Sequence, residues 1–314
     1  MIRGVLLIAL AALLWATTSI VAKFLFGGSD LPPLTLAFLR LLVALPFFWV
    51  LMRREQRQLR RANPGGNAAQ YSLRSLSWKA LLPLTALGLF QALYQGSYLV
   101  AVDLSGAGIA TLISLCLPPV FVAILAAPML GERPTLTTWI AALGALLGTG
   151  MLVVGDIDTT GTLRLAGILM SLLAAAVYTG FTLTSRYNSV GTPAFTTAFI
   201  CFLTAALLLL PVVLFTGGFA TLESMALKHW LMVCYIGLVP TGIGYLMFFT
   251  GIKSTPATLS SIVVTLEPLF VALLAWLILG EMLGTVGVAG AIVLVVAVIV
   301  ASRSNRLSGT NQDG

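Results

Sequence analysis

Residues 118–132 read PPVFVAILAAPMLGE, and residues 267–281 read EPLFVALLAWLILGE. The second segment repeats the first 149 positions later, and the same offset aligns Gly88 with Gly237. Both segments are long apolar runs that end in Gly-Glu. Because hydrocarbon offers no hydrogen-bond partners to an open backbone, runs of this kind are helical in a membrane. The chain is therefore predicted to contain two copies of one helical unit.

The starts of the two copies correspond at a larger shift of 163 residues. This shift places Gly4 on Gly167, Trp15 on Tyr178, Ser19 on Thr182 and Lys23 on Arg186. The offset falls to 149 later in the chain because residues 53–78 have no counterpart in the second copy. That insertion contains a cluster of arginines and the flexible sequence NPGGN, so we expect it to be a basic loop.

The composition predicts that the solvent of this chain is lipid. Of its 314 residues, 59% are hydrophobic and only 9% are charged, whereas a soluble domain carries about 25% charged residues. A water-soluble fold of this length could not bury so much apolar surface. The net charge of +7 is concentrated beside the end of an apolar run, as in a loop that rests on anionic lipid, so no nucleic-acid partner is expected.

Apolar runs divide the chain into membrane spans, since a span needs roughly 20 apolar residues. Ten runs of that length cover residues 4–26, 33–52, 79–101, 106–128, 136–155, 165–186, 193–216, 230–251, 257–279 and 284–302. The first five form a unit over 1–155, which includes the basic loop, and the second five form a unit over 156–303. The polar residues 304–314 are predicted to be a disordered tail.

The basic residues at the loops predict the orientation. With the N-terminus inside, 13 lysines and arginines lie at inner loops and tails, and only Lys23, Arg164 and Lys228 lie at outer ones. The positive-inside rule then places both termini in the cytoplasm, with the chain in the plasma or inner membrane. Each unit holds an odd number of spans, so the second unit is inverted relative to the first. Inverted repeats are an architecture of secondary transporters, whose substrate site lies near the midplane; a duplication with a purely structural role is the alternative.

A family resemblance rests on motifs from both copies. They are the stretch from Trp15 to Lys23, Leu39-Arg40, Pro119 with Gly131-Glu132-Arg133, and Glu267-Pro268 with Gly280-Glu281. Over its whole length the chain resembles the ten-helix, EamA-like branch of the drug/metabolite transporter superfamily. The resemblance implies export of amino acids, other metabolites or drugs, and it does not specify a substrate.

Polar residues in membrane spans usually face the interior of the bundle or a cavity. Helical spacing places Gln91, Tyr94, Gln95 and Tyr98 on one stripe of the third span. We expect the substrate site to be lined by this stripe together with the repeat mates of the first and sixth spans, Trp15 with Tyr178 and Ser19 with Thr182, and by Tyr245. Hydrogen bonding between helices is the alternative role of any single Ser, Thr or Gln.

Glu267 is the acidic residue that lies deepest in a span, about 15 Å from the start of the ninth. It could bind a proton or a substrate amine, or it could satisfy backbone groups that Pro268 loosens. Ser260 lies on the same helix face. Arg40, about 10 Å into the second span, could pair with Glu267, extend to the surface or contact an anionic substrate.

Four further groups of residues lead to expectations about the structure. Lys23 and Arg186 are expected to extend to opposite surfaces, and Glu132 and Glu281 to brace helix ends. The breaks at Pro118-Pro119, Pro240-Thr241-Gly242 and Pro268 could permit helix kinks. Gly144-x-x-x-Gly148 is typical of a close-packing helix face.

The remaining chemistry of the sequence argues against an enzyme. Cys116, Cys201 and Cys234 lie in apolar runs and His229 is the single histidine, so no metal or other cofactor is expected. A nucleotide-binding loop of the G-x-x-x-x-G-K type does not occur, so ATP is not the direct driver. The leading hypothesis is a secondary exporter of amino acids that works by alternating access, with possible proton coupling through Glu267. Organic cations or drugs are the alternative cargo, and a receptor, a scaffold or an intramembrane enzyme are the alternatives of a different class.

Overall fold

The computed structural model describes residues 2–62, 78–105, 107–132, 134–154, 165–188, 193–280 and 284–310, and all of its regular structure there is helical. The first half contributes α1 Ile2–Gly28, α2 Pro33–Ala62, α3 Trp78–Ser105, α4 Ala107–Cys116, α5 Pro118–Leu130 and α6 Leu136–Val154. The second half contributes α7 Leu165–Asn188, α8 Ala194–Phe215, α9 Leu227–Ile236, α10 Tyr245–Gly251, α11 Ala257–Val264, α12 Leu266–Leu279 and α13 Thr285–Thr310. Glu281 lies outside the described residues.

Eight stretches in the described part are helical, long and apolar enough to cross a membrane. They are α1, α2, the end of α4 with α5, α7, α8, α9 with α10, α11 with α12, and α13. The helix α6 is a shorter apolar helix. The helix α3 has the length of a span, and its stripe of two glutamines and two tyrosines lowers its mean hydropathy. The all-helical membrane class is confirmed, and the count of ten spans stays a prediction.

Two helices are interrupted at equivalent places in the two halves. The first interruption separates α4 from α5 at Leu117, directly before Pro118. The second separates α11 from α12 at Thr265, two residues before Glu267. A proline removes a backbone donor and clashes with the preceding turn, so a break before it is expected. Gly131 and Gly280 then end α5 and α12 with φ of 71°, a conformation that glycine adopts without strain.

The helix pair α9 and α10 is joined by a π-helix over Gly237–Gly244, which contains Pro240. A π-turn is wider than an α-turn, and such turns occur frequently at functional sites. The sequence motif Pro240-Thr241-Gly242 was predicted to interrupt this span, and the structure confirms the interruption. Gly242 lets this segment approach the ring of Phe47, and Gly244 lets it approach the indole nitrogen of Trp15.

Helix contacts across the halves organise the bundle. The most extensive contacts join α6 to α13, α3 to α7, and α2 to α8. Gly148 permits the close contact between α6 and α13, because a Cβ at this position would lie 2.6 Å from the backbone nitrogen of Leu294. The close-packing role predicted for the glycine pair in α6 is thereby confirmed. The repeat mates Gly88 and Gly237 make parallel contacts, since Gly88 packs on α8 and Gly237 packs on α2.

The bundle has two distinct ends. We call one end the basic face, where Gly4 contacts Gly251. The helix α7 ends at this face, and Arg186 in its last turn binds the carbonyl of Lys253. The opposite face holds Gly28 against His229. The helix α1 therefore begins at the basic face, whereas α7 ends there.

The last helix, α13, continues to Thr310, and the disordered tail over residues 304–314 stays a prediction. The segment from Ser304 to Thr310 contains no proline, so nothing in its backbone chemistry forces the helix to stop at the end of the apolar run. Residues 311–314 lie outside the described part.

Candidate substrate chamber

An aromatic cluster occupies the middle of the bundle. Trp15 of α1 lies with its ring centroid 4.7 Å from that of Tyr245, at the start of α10. Tyr94 of α3 lies 5.4 Å from Tyr178 of α7 by the same measure and stacks at 5.8 Å on Tyr98, one turn further along α3. The expected site residues from the first, third, sixth and eighth spans are therefore neighbours, because each was placed on the inward face of its helix.

The two halves of this cluster are joined by phenylalanines that the sequence analysis did not single out. Phe181 stacks on Phe248 and lies against Tyr245 and Phe249, and Phe202 lies 4.8 Å from Tyr245 between ring centroids. Helical spacing held the signal, because Phe181 is three residues after Tyr178, and Phe248 and Phe249 are three and four residues after Tyr245. Phenylalanine has no polar atom in its side chain, so the sequence pattern did not distinguish these residues from other apolar residues.

Glu267 lies beside this cluster, in the first turn of α12. Its carboxyl group lies near the phenols of Tyr94 and Tyr178 and near the guanidinium of Arg40. The side chain is partly accessible, and it makes no hydrogen bond or ion pair to any described residue. A carboxyl group and a guanidinium group therefore lie in one region of the bundle without forming an ion pair.

Arg40 extends toward the same region from α2. It interacts electrostatically with both Glu267 and Tyr245. Its Nε atom is buried and has no hydrogen-bond partner among the described residues. A buried donor without a partner is uncommon in a native structure, because leaving it unpaired carries a desolvation penalty of about 1–3 kcal/mol. Arg40 lies near Glu267 and Tyr245, and its pairing with Glu267, its extension to the surface and its contact with a substrate stay predictions.

Two more buried polar atoms in the cluster have no partner in the described part. They are the indole Nε1 of Trp15 and the phenol oxygen of Tyr178. By contrast, the phenol of Tyr245 accepts a hydrogen bond from Nε2 of Gln91 at 2.9 Å. The phenol of Tyr178 lies near Glu267, and the indole nitrogen of Trp15 lies against Gly244. Both supply hydrogen-bonding capacity that the described residues do not use.

Several expected residues are placed differently. The hydroxyl of Thr182 donates to the Tyr178 carbonyl of its own helix at 3.0 Å, and the hydroxyl of Ser260 donates to the Pro256 carbonyl at 2.9 Å. Their hydrogen-bonding capacity is therefore used locally, and Ser260 gives Glu267 no support. Ser19 is exposed, and Gln95 is partly exposed; neither makes a hydrogen bond to a described residue.

At the basic face the two halves are tied by an ion pair. Nε of Arg186 donates to Oε1 of Glu132 at 2.7 Å, and Nη1 of Arg186 donates to the carbonyls of Ile252 and Lys253 at 2.9 and 2.8 Å. The other carboxylate oxygen of Glu132 accepts the backbone N–H of Ala257 at 2.7 Å. Glu132 braces a helix end as predicted. Arg186 was expected to extend to a membrane surface; it lies partly exposed at the basic face, where it binds Glu132 and two helix-end carbonyls.

A small apolar cluster lies beneath this ion pair. Val122 and Ala126 of α5 pack with Leu183 of α7 and Ala257 of α11, and all four side chains are buried. The basic-face halves of the two interrupted spans, α5 and α11, thus pack together, whereas their other halves, α4 and α12, make at most marginal contact through their described residues. The two ends of the bundle are closed to different extents.

A second carboxylate from the first half also caps a helix of the second half. Glu55, near the end of α2, lies against the backbone N–H groups of Phe195 and Thr196 in the first turn of α8 and near Lys253, and its Oε2 atom is buried without a partner among the described residues. The first N–H groups of a helix lack partners within the helix, so an acid is favoured at this place. Glu55 was not predicted as a contact residue, because it lies in a run of arginines that is typical of a solvated loop.

Comparisons with known proteins agree with this architecture. The sequence profile of the EamA-like transporter family matches residues 2–154 and again residues 165–303. The uncharacterized transporter YwfM of Bacillus subtilis is 30% identical over 219 residues, which cover 70% of this chain and 72% of that protein. An uncharacterized transporter of Archaeoglobus fulgidus is 26% identical over 235 residues, which cover 73% of this chain and 80% of the relative.

A crystal structure with a sequence identity of 22% shares the fold. It superimposes with a TM-score of 0.73 over 96% of this chain and 98% of the other. Together with the apolar helices, these matches identify a multi-pass protein of the cell membrane. The chain belongs to the EamA-like transporter family.

Proposed function

We propose that this protein is a secondary transporter that exports small metabolites, with zwitterionic amino acids or related compounds as its cargo. One observation carries the proposal: Arg40 and Glu267 lie in the same region at the centre of the bundle, within electrostatic range of each other. Neither side chain forms an ion pair with a described residue. Unpaired charges inside a membrane protein are unfavourable unless a function retains them.

The charges and the aromatic rings match the chemistry of an amino acid. A substrate ammonium can bind the carboxylate of Glu267 and lie against the rings of Tyr94 and Tyr178, since cations are attracted to aromatic faces. A substrate carboxylate can bind Arg40, whose Nε is buried and unpaired. The phenol of Tyr178 and the indole N–H of Trp15 supply further hydrogen bonds.

The architecture supports ten spans in two inverted repeats. The family profile matches the chain twice, and the two interrupted spans break at equivalent positions. The repeat mates α1 and α7 run in opposite directions relative to the basic face. The excess of lysine and arginine at that face supports a cytoplasmic location for it and for both termini.

The unequal ends of the bundle support alternating access. At the basic face the Glu132–Arg186 pair and the α5–α11 contact close the bundle, and the corresponding contact between α4 and α12 is nearly missing. In a repeat architecture the second conformation exchanges the roles of the two ends. The described conformation then corresponds to a state that is closed toward the cytoplasm, in which exported cargo leaves.

Proton coupling would use Glu267. A single carboxyl can hold a proton in one conformation and a substrate ammonium in the other. Because both ligands need the same oxygens, proton movement across the membrane is then coupled to substrate movement. A proton gradient would then drive export by exchange.

Transport in proteoliposomes tests these statements. Purified protein would be reconstituted, and uptake of radiolabelled amino acids into vesicles preloaded with the unlabelled pool would be measured with and without a pH gradient. Glu267→Gln should abolish gradient-driven flux, and Arg40→Gln should abolish flux of zwitterions. Glu223→Gln is the matched control, because Glu223 is exposed at the opposite face. Full gradient-driven flux in Glu267→Gln would remove Glu267 from the coupling role.

Organic cations or drugs are the second candidate, and the aromatic cluster favours them. A cation has no carboxylate, so Arg40→Gln would leave its transport intact or improve it. Ligand binding without any flux would instead support a receptor or scaffold.

A further inference from the structure

We propose that the outward stripe at the end of α2 is a binding site for one anionic phospholipid. The stripe consists of the exposed residues of α2 from Leu42 onward, namely Leu42, Pro46, Trp49, Val50, Arg53, Arg54, Arg57, Gln58 and Arg61. This site lies on the outside of the bundle and is separate from the proposed transport function.

The spacing shows that these side chains share one helix face. Trp49, Arg53 and Arg57 are four residues apart, and four residues correspond to about one turn, or 6 Å along the axis. The intervening side chains of Phe48 and Met52 are fully buried. The helix therefore presents a continuous outward surface that is apolar up to Val50 and cationic from Arg53.

This order matches the shape of a phospholipid. Leu42, Trp49 and Val50 are 48%, 46% and 40% exposed, and in a membrane they meet acyl chains. Tryptophan is enriched at the depth where acyl chains give way to headgroups. Arg53 and Arg57 follow about one and two turns later, which is the level of the lipid phosphate.

The described part of the chain offers the arginines no internal anion. Glu55 is the single acidic residue of α2, and its carboxylate lies against the N–H groups of Phe195 and Thr196 at the start of α8. Among the described residues, Arg53 and Arg57 form no ion pair. Arg53 instead lies over the ring of Trp49, with its guanidinium carbon 5.4 Å from the ring centroid.

The stripe is also concave. A groove with a volume of about 540 Å³ is lined by Trp49, Val50, Arg53, Arg54, Gln56 and Arg57. A phosphate in this groove can accept bidentate hydrogen bonds from the guanidinium groups, and the tails can continue along the apolar part of the stripe. Charge and shape thus select an anionic lipid over a zwitterionic one.

Native mass spectrometry tests this site with the intact protein in detergent, titrated with phosphatidylglycerol or with phosphatidylcholine. We expect one phosphatidylglycerol to bind more tightly than phosphatidylcholine. The variant R53Q/R57Q should weaken that binding by about 30-fold. Each basic residue near an anionic membrane surface raises the affinity about fivefold, and the variant removes two of them. The control R3Q/R303Q removes two exposed arginines from the same face and should leave binding unchanged.

Two further arms separate the lipid from its headgroup. Glycerol phosphate at the same concentration should not displace the lipid, and Trp49→Ala should weaken lipid binding. Equal loss in R53Q/R57Q and in R3Q/R303Q would overturn the proposal, since binding would then reflect general surface charge. Equal binding of both lipids, or displacement by glycerol phosphate, would overturn it as well.

Discussion

Glu132 and Arg186 join the two halves of the chain through a 2.7 Å ion pair at the basic face. Both ends of this bridge are also tied to backbone: Glu132 accepts the N–H of Ala257, and Arg186 binds the carbonyls of Ile252 and Lys253. A single side-chain pair thus connects the end of α5, the end of α7, the start of α11 and the turn after α10. Any movement that separates α5 from α11 must break it.

Loss of this bridge should open the basic face. An exposed or half-exposed ion pair is worth about 1 kcal/mol, which shifts a two-state equilibrium about fivefold. In a background without the native cysteines, Ala126→Cys should be protected from a membrane-impermeant maleimide, because Ala126 is fully buried. Adding Glu132→Ala should raise the labelling rate about fivefold.

The control for this experiment is Glu223→Ala, which removes an exposed carboxylate from the opposite face. Arg186→Lys keeps the charge but loses the fork of donors that reaches two carbonyls, so it should give an intermediate rate. An unchanged labelling rate in Glu132→Ala would show that the apolar cluster alone holds the face closed.

Tyr178→Phe should weaken substrate binding without unfolding the protein. Its phenol oxygen is buried with no partner among the described residues, so a bound ligand can complete its hydrogen bonding. Removing a hydrogen bond of this kind should raise the apparent KM about tenfold, or about 1.4 kcal/mol. The measurement is counterflow at several substrate concentrations. Tyr187→Phe is the control, because Tyr187 is 64% exposed at the end of the same helix, and equal KM values in both variants would contradict the assignment.

Gly148→Ala should destabilise the contact between α6 and α13. A Cβ at Gly148 would lie 2.6 Å from the Leu294 nitrogen and 2.9 Å from the Gly290 carbonyl oxygen, and backbone atoms cannot yield as a flexible side chain does. Overpacking of this kind costs about 1–3 kcal/mol. Thermal unfolding in detergent measures it. Gly96→Ala is the matched control, since nothing lies within 4 Å of a Cβ there, and an equal melting temperature for the two variants would speak against tight packing.

Glu55→Ala should weaken the attachment of α2 to α8. The carboxylate lies against the N–H groups of Phe195 and Thr196 at the start of α8, and removal of a helix cap costs about 0.5–2 kcal/mol. Thermal unfolding should show a lower midpoint for Glu55→Ala and a smaller loss for Glu55→Gln, which keeps one acceptor oxygen. If both variants melt like the unaltered protein, water replaces the cap without loss.

The helices and the inward faces of the central residues follow from sequence alone. Apolar runs must be helical in lipid, and helical spacing placed Trp15, Tyr94, Tyr178 and Tyr245 on faces that meet in the structure. The interruptions before Pro118 and Pro268 and within Gly237–Gly244 were also predictable, because proline acts on its own backbone. These features depend on local chemistry or on a single period.

Only the tertiary structure decided which polar groups found partners. The sequence placed Arg186 at a membrane surface, and only folding brought it to Glu132, 54 residues away. Folding likewise left the Tyr178 phenol and the Arg40 Nε atom without a hydrogen-bond partner among the described residues. A polar side chain needs a partner within about 3 Å, and the partner's position depends on how whole helices pack, which no local pattern encodes.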